Sequence, residues 1–197
     1  MSKVAAGFTM SLDGYIAGPD EDFSRLFRWY RSGDTDFPVV GTDMMFKVSR
    51  ASADLLNEMY SSYGAILTGR RDFDVSNAWG GKAILNLPMF IVTHNPPSEW
   101  VYPGSPFTFV TDGVESALRQ AQQAAGDKDV NIGGTSIVRQ LLALNLLDVI
   151  HIDLVPFLIG GGIRLFDNLE NAPIELENTR VVSGTGVTHL TFRVIKQ

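Results

Sequence analysis

Apolar runs of strand length alternate with amphipathic stretches along most of the chain. The runs are rich in Val, Ile, Leu and Phe and occur at residues 4–9, 65–68, 89–93, 107–110, 130–132 and 148–155. Apolar residues recur at helical spacing at residues 22–31, 52–62, 112–125 and from 135 onwards, and a short helix is expected at 69–74. Strands that alternate with helices predict right-handed crossovers and a mostly parallel sheet with helices on both faces.

The end of the chain departs from this alternation. Residues 174–182 and 187–195 flank the turn residues 183–186, which predicts a long antiparallel hairpin and therefore a mixed sheet. Residues 32–48 and 76–86 show little periodicity and are expected to be irregular. The sequence contains no repeat, low-complexity tract or linker, so one domain over residues 1–197 is the simplest organisation.

The composition excludes several classes of function. The net charge of −6 leaves no basic stripe for nucleic-acid binding, and the absence of cysteine excludes disulfides and thiolate chemistry. No apolar run reaches membrane-spanning length, and the first residues do not form a signal-peptide pattern. We expect a cytoplasmic protein whose partner is a small molecule, with neither nucleic acid nor membrane as a partner.

A pair of glycines marks the first candidate binding element. Gly133 and Gly134 follow a buried strand that ends at Ile132, and they precede a helix that opens with Thr135 and Ser136. Glycines allow a ligand to approach the backbone, and the N–H groups and dipole of a helix N-terminus favour an anion. The alternative is an ordinary strand-to-helix turn in which Thr135 is the N-cap.

A pair of arginines marks a second candidate element. Arg70 and Arg71 follow Thr68 and Gly69 at the end of another predicted strand. Guanidinium groups offer a planar fork of donors that suits a phosphate. The alternative is that these arginines are surface residues paired with Asp72 or Asp74. Because ligands bind at the carboxyl ends of strands in open sheets of this kind, both elements are expected at one sheet edge.

The loop at residues 11–20 is expected at the same edge. Gly14 and Gly18 permit movement, and Tyr15 and Ile16 could cover a flat ring, so the loop could act as a lid; an ordinary mobile surface loop is the alternative. The glycines at 160–162 lack the context of a dinucleotide fingerprint, and we expect a flexible loop near the same sheet edge that could contact the substrate.

The histidines do not predict a metal site. His94, His151 and His189 lack metal-ligand spacing, and His151 and Asp153 are expected to be ordinary polar residues on one face of a strand. The sequence does not allow a Ser–His–Asp or Cys–His set to be assembled.

Five motifs, in this order, resemble those of the dihydrofolate-reductase-like superfamily. The resemblance is strongest to the reductase domain of the riboflavin-biosynthesis deaminase-reductase and its stand-alone relatives, and it covers nearly the whole chain. The motifs are Ser-Leu-Asp-Gly-Tyr-Ile-Ala at 11–17, Thr-Gly-Arg-Arg at 68–71, Phe-Ile-Val-Thr-His at 90–94, Ile-Gly-Gly at 132–134, and residues 147–166 with their Gly-Gly-Gly. No deaminase zinc motif is present in these residues, so we do not expect a deaminase half among them.

The resemblance implies a single α/β domain with a mixed, mostly parallel sheet that is flanked by helices and closed by a C-terminal antiparallel hairpin. It further implies an NADPH-dependent reductase that acts as a homodimer on a small pterin-, pyrimidine- or riboflavin-precursor-like heterocycle. In this assignment the glycine pair, with Ile132, Thr135 and Ser136, holds the pyrophosphate. The adenosine phosphate end is surrounded by Thr68, Gly69, Arg70, Arg71 and Thr93 or His94, and the nicotinamide is bordered by Thr9, Asp13 and Ile16.

Three features stand apart from the pattern of the family. Asp72 occupies a position where members commonly have Thr, and a carboxylate beside a pyrophosphate is repulsive unless it turns away. Residues 21–49 are longer than the minimal fold needs and are expected to line a substrate pocket, a dimer face or the core. Asp54 has nearly the spacing of the acidic residue of dihydrofolate reductases, so it is the candidate catalytic residue, although a first-turn helix acid is the alternative. A non-catalytic nucleotide- or flavin-binding dimer is the alternative function.

Overall fold

The computed structural model describes residues 2–196, which form an eight-stranded sheet and two small two-stranded sheets. The strands are β1 (Val4–Ser11), β2 (Tyr15–Ala17), β3 (Thr35–Pro38), β4 (Met45–Val48), β5 (Tyr63–Gly69), β6 (Met89–Val92), β7 (Phe107–Val110), β8 (Asp129–Ile132), β9 (Val149–Val155), β10 (Ile163–Arg164), β11 (Leu176–Gly184) and β12 (Val187–Val194). The helices are α1 (Arg50–Ser62), α2 (Arg70–Val75), α3 (Val114–Ala125) and α4 (Thr135–Ala143).

The strand order of the large sheet is β11-β12-β9-β1-β8-β5-β6-β7. Neighbouring strands from β9 to β7 are parallel, and β12 pairs antiparallel with both β9 and β11. The predicted mixed, mostly parallel sheet and the closing hairpin are therefore confirmed. Within residues 2–196 no helix is long and apolar enough to cross a bilayer.

The helices form where the sequence provides an apolar face and a cap. On α3 the buried residues Val114, Ala117, Leu118 and Ala121 recur at helical spacing. Gly126 ends this helix at a φ of 62°, as expected of a left-handed C-terminal glycine. The Oγ of Ser49 accepts a hydrogen bond from the backbone N–H of Ser52 and so caps α1.

Two apolar clusters lie on opposite faces of the sheet. Ile150 and Ile152 of β9 pack into the larger cluster together with the buried faces of α3 and α4. Val155, on the alternate face of the same strand, packs into the second cluster with Trp29 and the N-terminal half of α1. The second cluster lies beside the carboxyl ends of β1 and β9, where a ligand is expected.

Residues 21–49 are more ordered than the sequence predicts. A hairpin forms from β3 and β4, although residues 32–48 are expected to be irregular, because Phe37, Val39 and Val48 turn inward into the second cluster. The helix expected at 22–31 is reduced to a 3-10 turn at Leu26–Arg31. Only Leu26 and Trp29 are buried there, so a longer amphipathic helix would gain little.

Candidate functional site

Four neighbouring parallel strands end at one edge of the sheet and bring together most of the predicted cofactor residues. In sheet order they are β1, β8, β5 and β6, which lead to Thr9, Gly133, Gly69 and Thr93 respectively. Gly133 lies close to β5, because its N–H donates to the carbonyl of Leu67 at 2.8 Å. Stretches that are distant in sequence therefore meet, as the alternation of strands and helices predicts.

The glycine pair lies directly against the first turn of α2. A Cβ on Gly133 would lie 2.8 Å from both Oδ2 of Asp72 and Oγ1 of Thr68. Gly134 has a φ of 78° and is the residue before α4, and no side chain caps this helix end. The alternative in which Thr135 is the N-cap is therefore wrong, because Gly134 takes that position and Thr135 is the first helical residue. Ser136, in the same turn, is exposed.

Asp72 turns inward instead of facing the edge of the sheet. Its Oδ2 accepts a hydrogen bond from the hydroxyl of Thr68 at 2.6 Å. Burial raises the pKa of Asp72, and the hydrogen bond from Thr68 opposes this effect only in part. The carboxyl group of Asp72 thus lies on the side of α2 that faces Gly133. Its protonation state therefore affects the electrostatic potential at the glycine pair.

Both arginines are engaged in the structure. The Nε of Arg70 donates to Oδ1 of Asp74 at 2.7 Å, and its Nη1 donates to the carbonyl oxygen of Asn95 at 2.5 Å. Arg71 forms an ion pair with Glu21, and its side chain is 71% exposed. The pairing of Arg70 with Asp74 matches the alternative for this element. Arg70 nevertheless bridges the ends of β5 and β6, beside the predicted phosphate position.

Thr93 and His94 follow β6 and differ in their burial. Thr93 is buried, and its Oγ1 accepts a hydrogen bond from the backbone N–H of Asn95. His94 is exposed. The turn at Asn95 is thus fixed by Thr93 on one side and by Arg70 on the other.

The loop at residues 11–20 is held by an extensive set of hydrogen bonds. Asp13 accepts bonds from the hydroxyl of Ser11 at 2.6 Å and from the backbone N–H groups of Ile159 and Gly160 at 3.1 and 2.7 Å. The bond from Ser11, with those from the two backbone N–H groups, lowers the pKa of Asp13 to about 2. These hydrogen bonds join the loop to the glycine loop at 160–162.

A small sheet strengthens this connection. β2, which contains Ile16, pairs antiparallel with β10, and a Cβ on Gly162 would lie 2.2 Å from the carbonyl oxygen of Ala17. Gly162 thus allows a backbone approach that no larger residue permits.

Thr9 lies near the carboxyl end of β1, at the sheet edge described above, whereas Asp54 lies away from that edge. Thr9 is buried, and its Oγ1 accepts a hydrogen bond from Nε1 of Trp29 at 3.4 Å. Asp54 lies on the exposed side of α1 and forms an i,i+4 ion pair with Arg50 at 2.9 Å. Because α1 begins at Arg50 and its first turn contains no acidic residue, the alternative of Asp54 as a first-turn acid is wrong. The structure does not bring Asp54 together with the other candidate residues.

The structure assembles a Ser–His–Asp chain, contrary to the sequence-based expectation. Nδ1 of His189 lies 2.6 Å from Oδ1 of Asp153, and its Nε2 lies 2.8 Å from Oγ of Ser52. The three residues come from β9, β12 and α1, and only the pairing of β12 with β9 places His189 opposite Asp153. The signal in the sequence is a polar position on each of two otherwise apolar strands, but the register that joins them is set by the fold.

Within residues 2–196, no group of three or more His, Cys, Asp or Glu residues could hold a metal ion. His151 instead lies 3.1 Å from the hydroxyl of Thr191, and burial lowers its pKa.

Comparisons with known proteins place this architecture. A family model described as the RibD C-terminal domain matches residues 2–190. A candidate riboflavin biosynthesis protein from Shewanella sp. PV-4 has a TM-score of 0.75 at 18% identity, with 100% of both chains covered.

Two further solved structures are similar in fold. The diaminohydroxyphosphoribosylaminopyrimidine deaminase/5-amino-6-(5-phosphoribosylamino)uracil reductase of Thermotoga maritima has a TM-score of 0.66 at 17% identity, over 98% of this chain and 57% of that chain. Dihydrofolate reductase from Enterococcus faecalis, complexed with NADP(H), has a TM-score of 0.58 at 15% identity, over 98% of this chain and 96% of that chain. The dihydrofolate-reductase-like fold is thereby confirmed.

Proposed function

Because the chain belongs to the RibD C-terminal domain family, we propose that it is an NADPH-dependent reductase that transfers hydride to a small heterocyclic substrate. The observation that carries this proposal is the uncapped start of α4 at Gly134, beside a second glycine and on the same sheet edge as Arg70. A helix N-terminus approached over bare backbone suits a pyrophosphate, and the guanidinium at the end of the neighbouring strand β5 suits a further phosphate.

The residues at this edge fit an extended dinucleotide. Gly133 and Gly134 would hold the pyrophosphate, with the N–H groups of Thr135 and Ser136 as donors. Arg70 and Arg71 would bind the adenosine phosphate end, near the turn that Thr93 fixes. The loop held by Asp13, with Ile16 in β2, would border the nicotinamide.

The bound cofactor would supply the hydride, and the task of the chain is to position the substrate and exclude water. The hydrogen bonds from Ile159 and Gly160 to Asp13 support this role, because they hold two loops in a fixed relation at the end of β1. A rigid loop beside the reacting ring reduces the freedom that must be lost on binding.

A pyrimidine- or riboflavin-precursor-like substrate is supported by two lines of evidence. The Thermotoga maritima protein of similar fold is named as a uracil-derivative reductase. In this chain an aromatic group made by Trp29, Tyr30 and Phe46 lies near the ends of β1 and β9, with the rings of Tyr30 and Phe46 stacked at 3.9 Å. Planar aromatic side chains of this kind pack well against a flat heterocycle.

The proposal is tested by titrating NADPH fluorescence with the wild-type protein and with Arg70→Ala. We expect saturable binding to the wild type, and a loss of about tenfold in NADPH affinity for Arg70→Ala with a smaller loss for NADH, because only NADPH carries the additional phosphate. Arg50→Ala is the matched control, since Arg50 also forms an i,i+4 ion pair but lies away from the glycine pair.

Two outcomes would contradict the assignment at different levels. An absence of saturable NADPH binding to the wild type refutes the cofactor. Saturable binding without oxidation across a panel of pterins, pyrimidines and small ketones refutes the reductase and favours a non-catalytic nucleotide-binding protein.

A further inference from the structure

Asp153 is a carboxylate in an unusual setting on the sheet. It lies on β9, across from Thr9 of β1 and from His189 of β12, and its side chain is only 17% exposed. Among the residues that the structure describes, it forms no ion pair with lysine or arginine, and its one ion-pair partner is His189. A carboxylate taken out of water needs compensation, and here one oxygen atom receives only a single hydrogen bond.

The hydrogen bonds of its partners run in one direction. Ser49 accepts a bond from the backbone N–H of Ser52 and donates its own hydroxyl proton to Oγ of Ser52 at 2.9 Å. The hydroxyl proton of Ser52 is then free to point at Nε2 of His189, which places the ring proton on Nδ1, facing Asp153. Ser49, Ser52 and His189 thus together direct one N–H group at Oδ1 of Asp153.

The hydrogen-bonded set of Ser52, His189 and Asp153 does not provide a serine nucleophile. Ser52 is 1% exposed, and the backbone of Gly184 covers its hydroxyl so closely that a Cβ there would lie 2.3 Å from Oγ. His189 is 3% exposed and is packed against the ring of Trp29. Of the hydrogen-bonded residues Ser52, His189 and Asp153, the one that can contact a ligand is therefore Asp153.

Oδ2 of Asp153 remains open. It has no hydrogen-bond partner among residues 2–196, whereas Oδ1 is held by His189. Burial raises the pKa values of Tyr30 and Tyr60, and the charge of Asp153 adds to this effect. Trp29 donates to the hydroxyl of Thr9, which lies across from Asp153, and its ring packs against His189, so the aromatic group adjoins the carboxylate and its partner.

From this geometry we infer that Asp153 is the carboxylate that anchors the substrate, and that it accepts a hydrogen bond from an amino or amidine-like N–H edge of a planar heterocycle. His189, held by Ser52, is the positioning residue that fixes the carboxylate. The inference rests on the proposed reductase function and changes which carboxylate binds substrate, since Asp54 is exposed and paired with Arg50.

The test uses 2,4-diaminopyrimidine as the probe and 2,4-dimethylpyrimidine, which has a similar shape but lacks the N–H donors, as the matched ligand. Calorimetric titration of the wild type is expected to show saturable binding of the diamino compound and at least about tenfold weaker binding of the dimethyl compound. Asp153→Asn keeps an oxygen that accepts from His189 but removes the charge, and it should weaken binding of the diamino compound by about tenfold. Glu177→Gln, on the outer hairpin, is the control and should bind as the wild type does.

The positioning role has its own spectroscopic test. Ser52→Ala removes the donor to Nε2, so the ¹⁵N signals of the His189 ring should move away from the pure Nδ1–H tautomer while the fold is retained. Binding of the diamino compound should weaken in parallel. If the ring of His189 keeps the same tautomer in Ser52→Ala, the proposed hydrogen-bond chain is contradicted.

The anchoring inference and the proposed function fail in different ways. Three results overturn the inference even where NADPH binds. The first is that Asp153→Asn binds the diamino compound as the wild type does, and the second is that Asp54→Asn, and not Asp153→Asn, loses binding of this compound. The third is that the wild type does not bind the diamino compound. If the diamino compound depends on Asp153 but NADPH shows no saturable binding, the anchor stands and the cofactor assignment fails. Circular dichroism of each variant confirms that the comparison concerns folded protein.

Discussion

Replacing Gly133 with alanine tests the packing on which the candidate pyrophosphate position depends. A Cβ there would lie 2.8 Å from Oδ2 of Asp72, 2.8 Å from Oγ1 of Thr68 and 3.2 Å from Cβ of Thr68. Thr68 is 1% exposed, so it has little room to move. An additional methyl group in a tightly packed site typically costs about 1–3 kcal/mol. We expect Gly133→Ala to lower the free energy of unfolding by about 2 kcal/mol, measured by urea denaturation followed by tryptophan fluorescence.

A double-mutant cycle identifies the contact responsible. Asp72→Ala removes one of the two oxygen atoms and releases Thr68 from its hydrogen bond, so the cost of Gly133→Ala should fall by about 1 kcal/mol in that background. Gly134→Ala is the matched control, because its φ of 78° causes backbone strain while no neighbour lies closer than 3.4 Å. The cost of Gly134→Ala should be the same in both backgrounds. Full additivity of Gly133→Ala and Asp72→Ala would refute the packing argument.

Two further variants test buried polar groups. Tyr63→Phe should raise the free energy of unfolding by about 1 kcal/mol, because the buried hydroxyl of Tyr63 has no hydrogen-bond partner among residues 2–196. A decrease in the free energy of unfolding, measured by urea denaturation, would contradict this argument. Asp72→Asn tests the raised pKa of Asp72. Burial favours the protonated form of this carboxyl group, so protonation stabilises the folded wild type. This stabilisation is present below the usual pKa of 3.8 and is lost as pH rises through the raised pKa. The urea midpoint of Asp72→Asn relative to the wild type should therefore increase as pH rises, and a decrease over that range contradicts the assigned direction.

Local patterns in the sequence predict the fold well because each element carries its own signals. The apolar faces of α1 and α3, Ser49 before α1 and Gly126 after α3 all operate within a few residues. The hairpin of β3 and β4 escapes prediction because its inward positions are few and are satisfied only by contacts with other segments.

The candidate site is predictable to the extent that it depends on strand ends. The rule that parallel strands end at one edge brings Thr68, Gly69 and Gly133 together without knowledge of side-chain packing. The chain from Ser52 through His189 to Asp153 could not be found in this way. Its bonds join residues 137 and 36 positions apart, and they depend on the register of β12 against β9.

The paired state of the arginines does not oppose a phosphate ligand. Arg71 is largely exposed, and the side chains of Arg70 and Asp74 are 37% and 50% exposed. Ion pairs of this kind typically contribute about 0–1 kcal/mol, so replacing Asp74 with a phosphate as the partner of Arg70 requires little free energy.

The greater obstacle to the cofactor lies at Asp72. This carboxyl is partly buried, lies against Gly133 and has only the hydroxyl of Thr68 as a hydrogen-bond partner within the described chain. A negative charge there opposes a pyrophosphate in a medium of reduced dielectric, whereas the protonated form does not. Since burial already favours the protonated form, an anionic ligand at the glycine pair should raise the pKa of Asp72 further and take up a proton on binding. We therefore expect the affinity for the proposed cofactor to depend mainly on Asp72, and the arginines to determine which phosphate pattern is preferred.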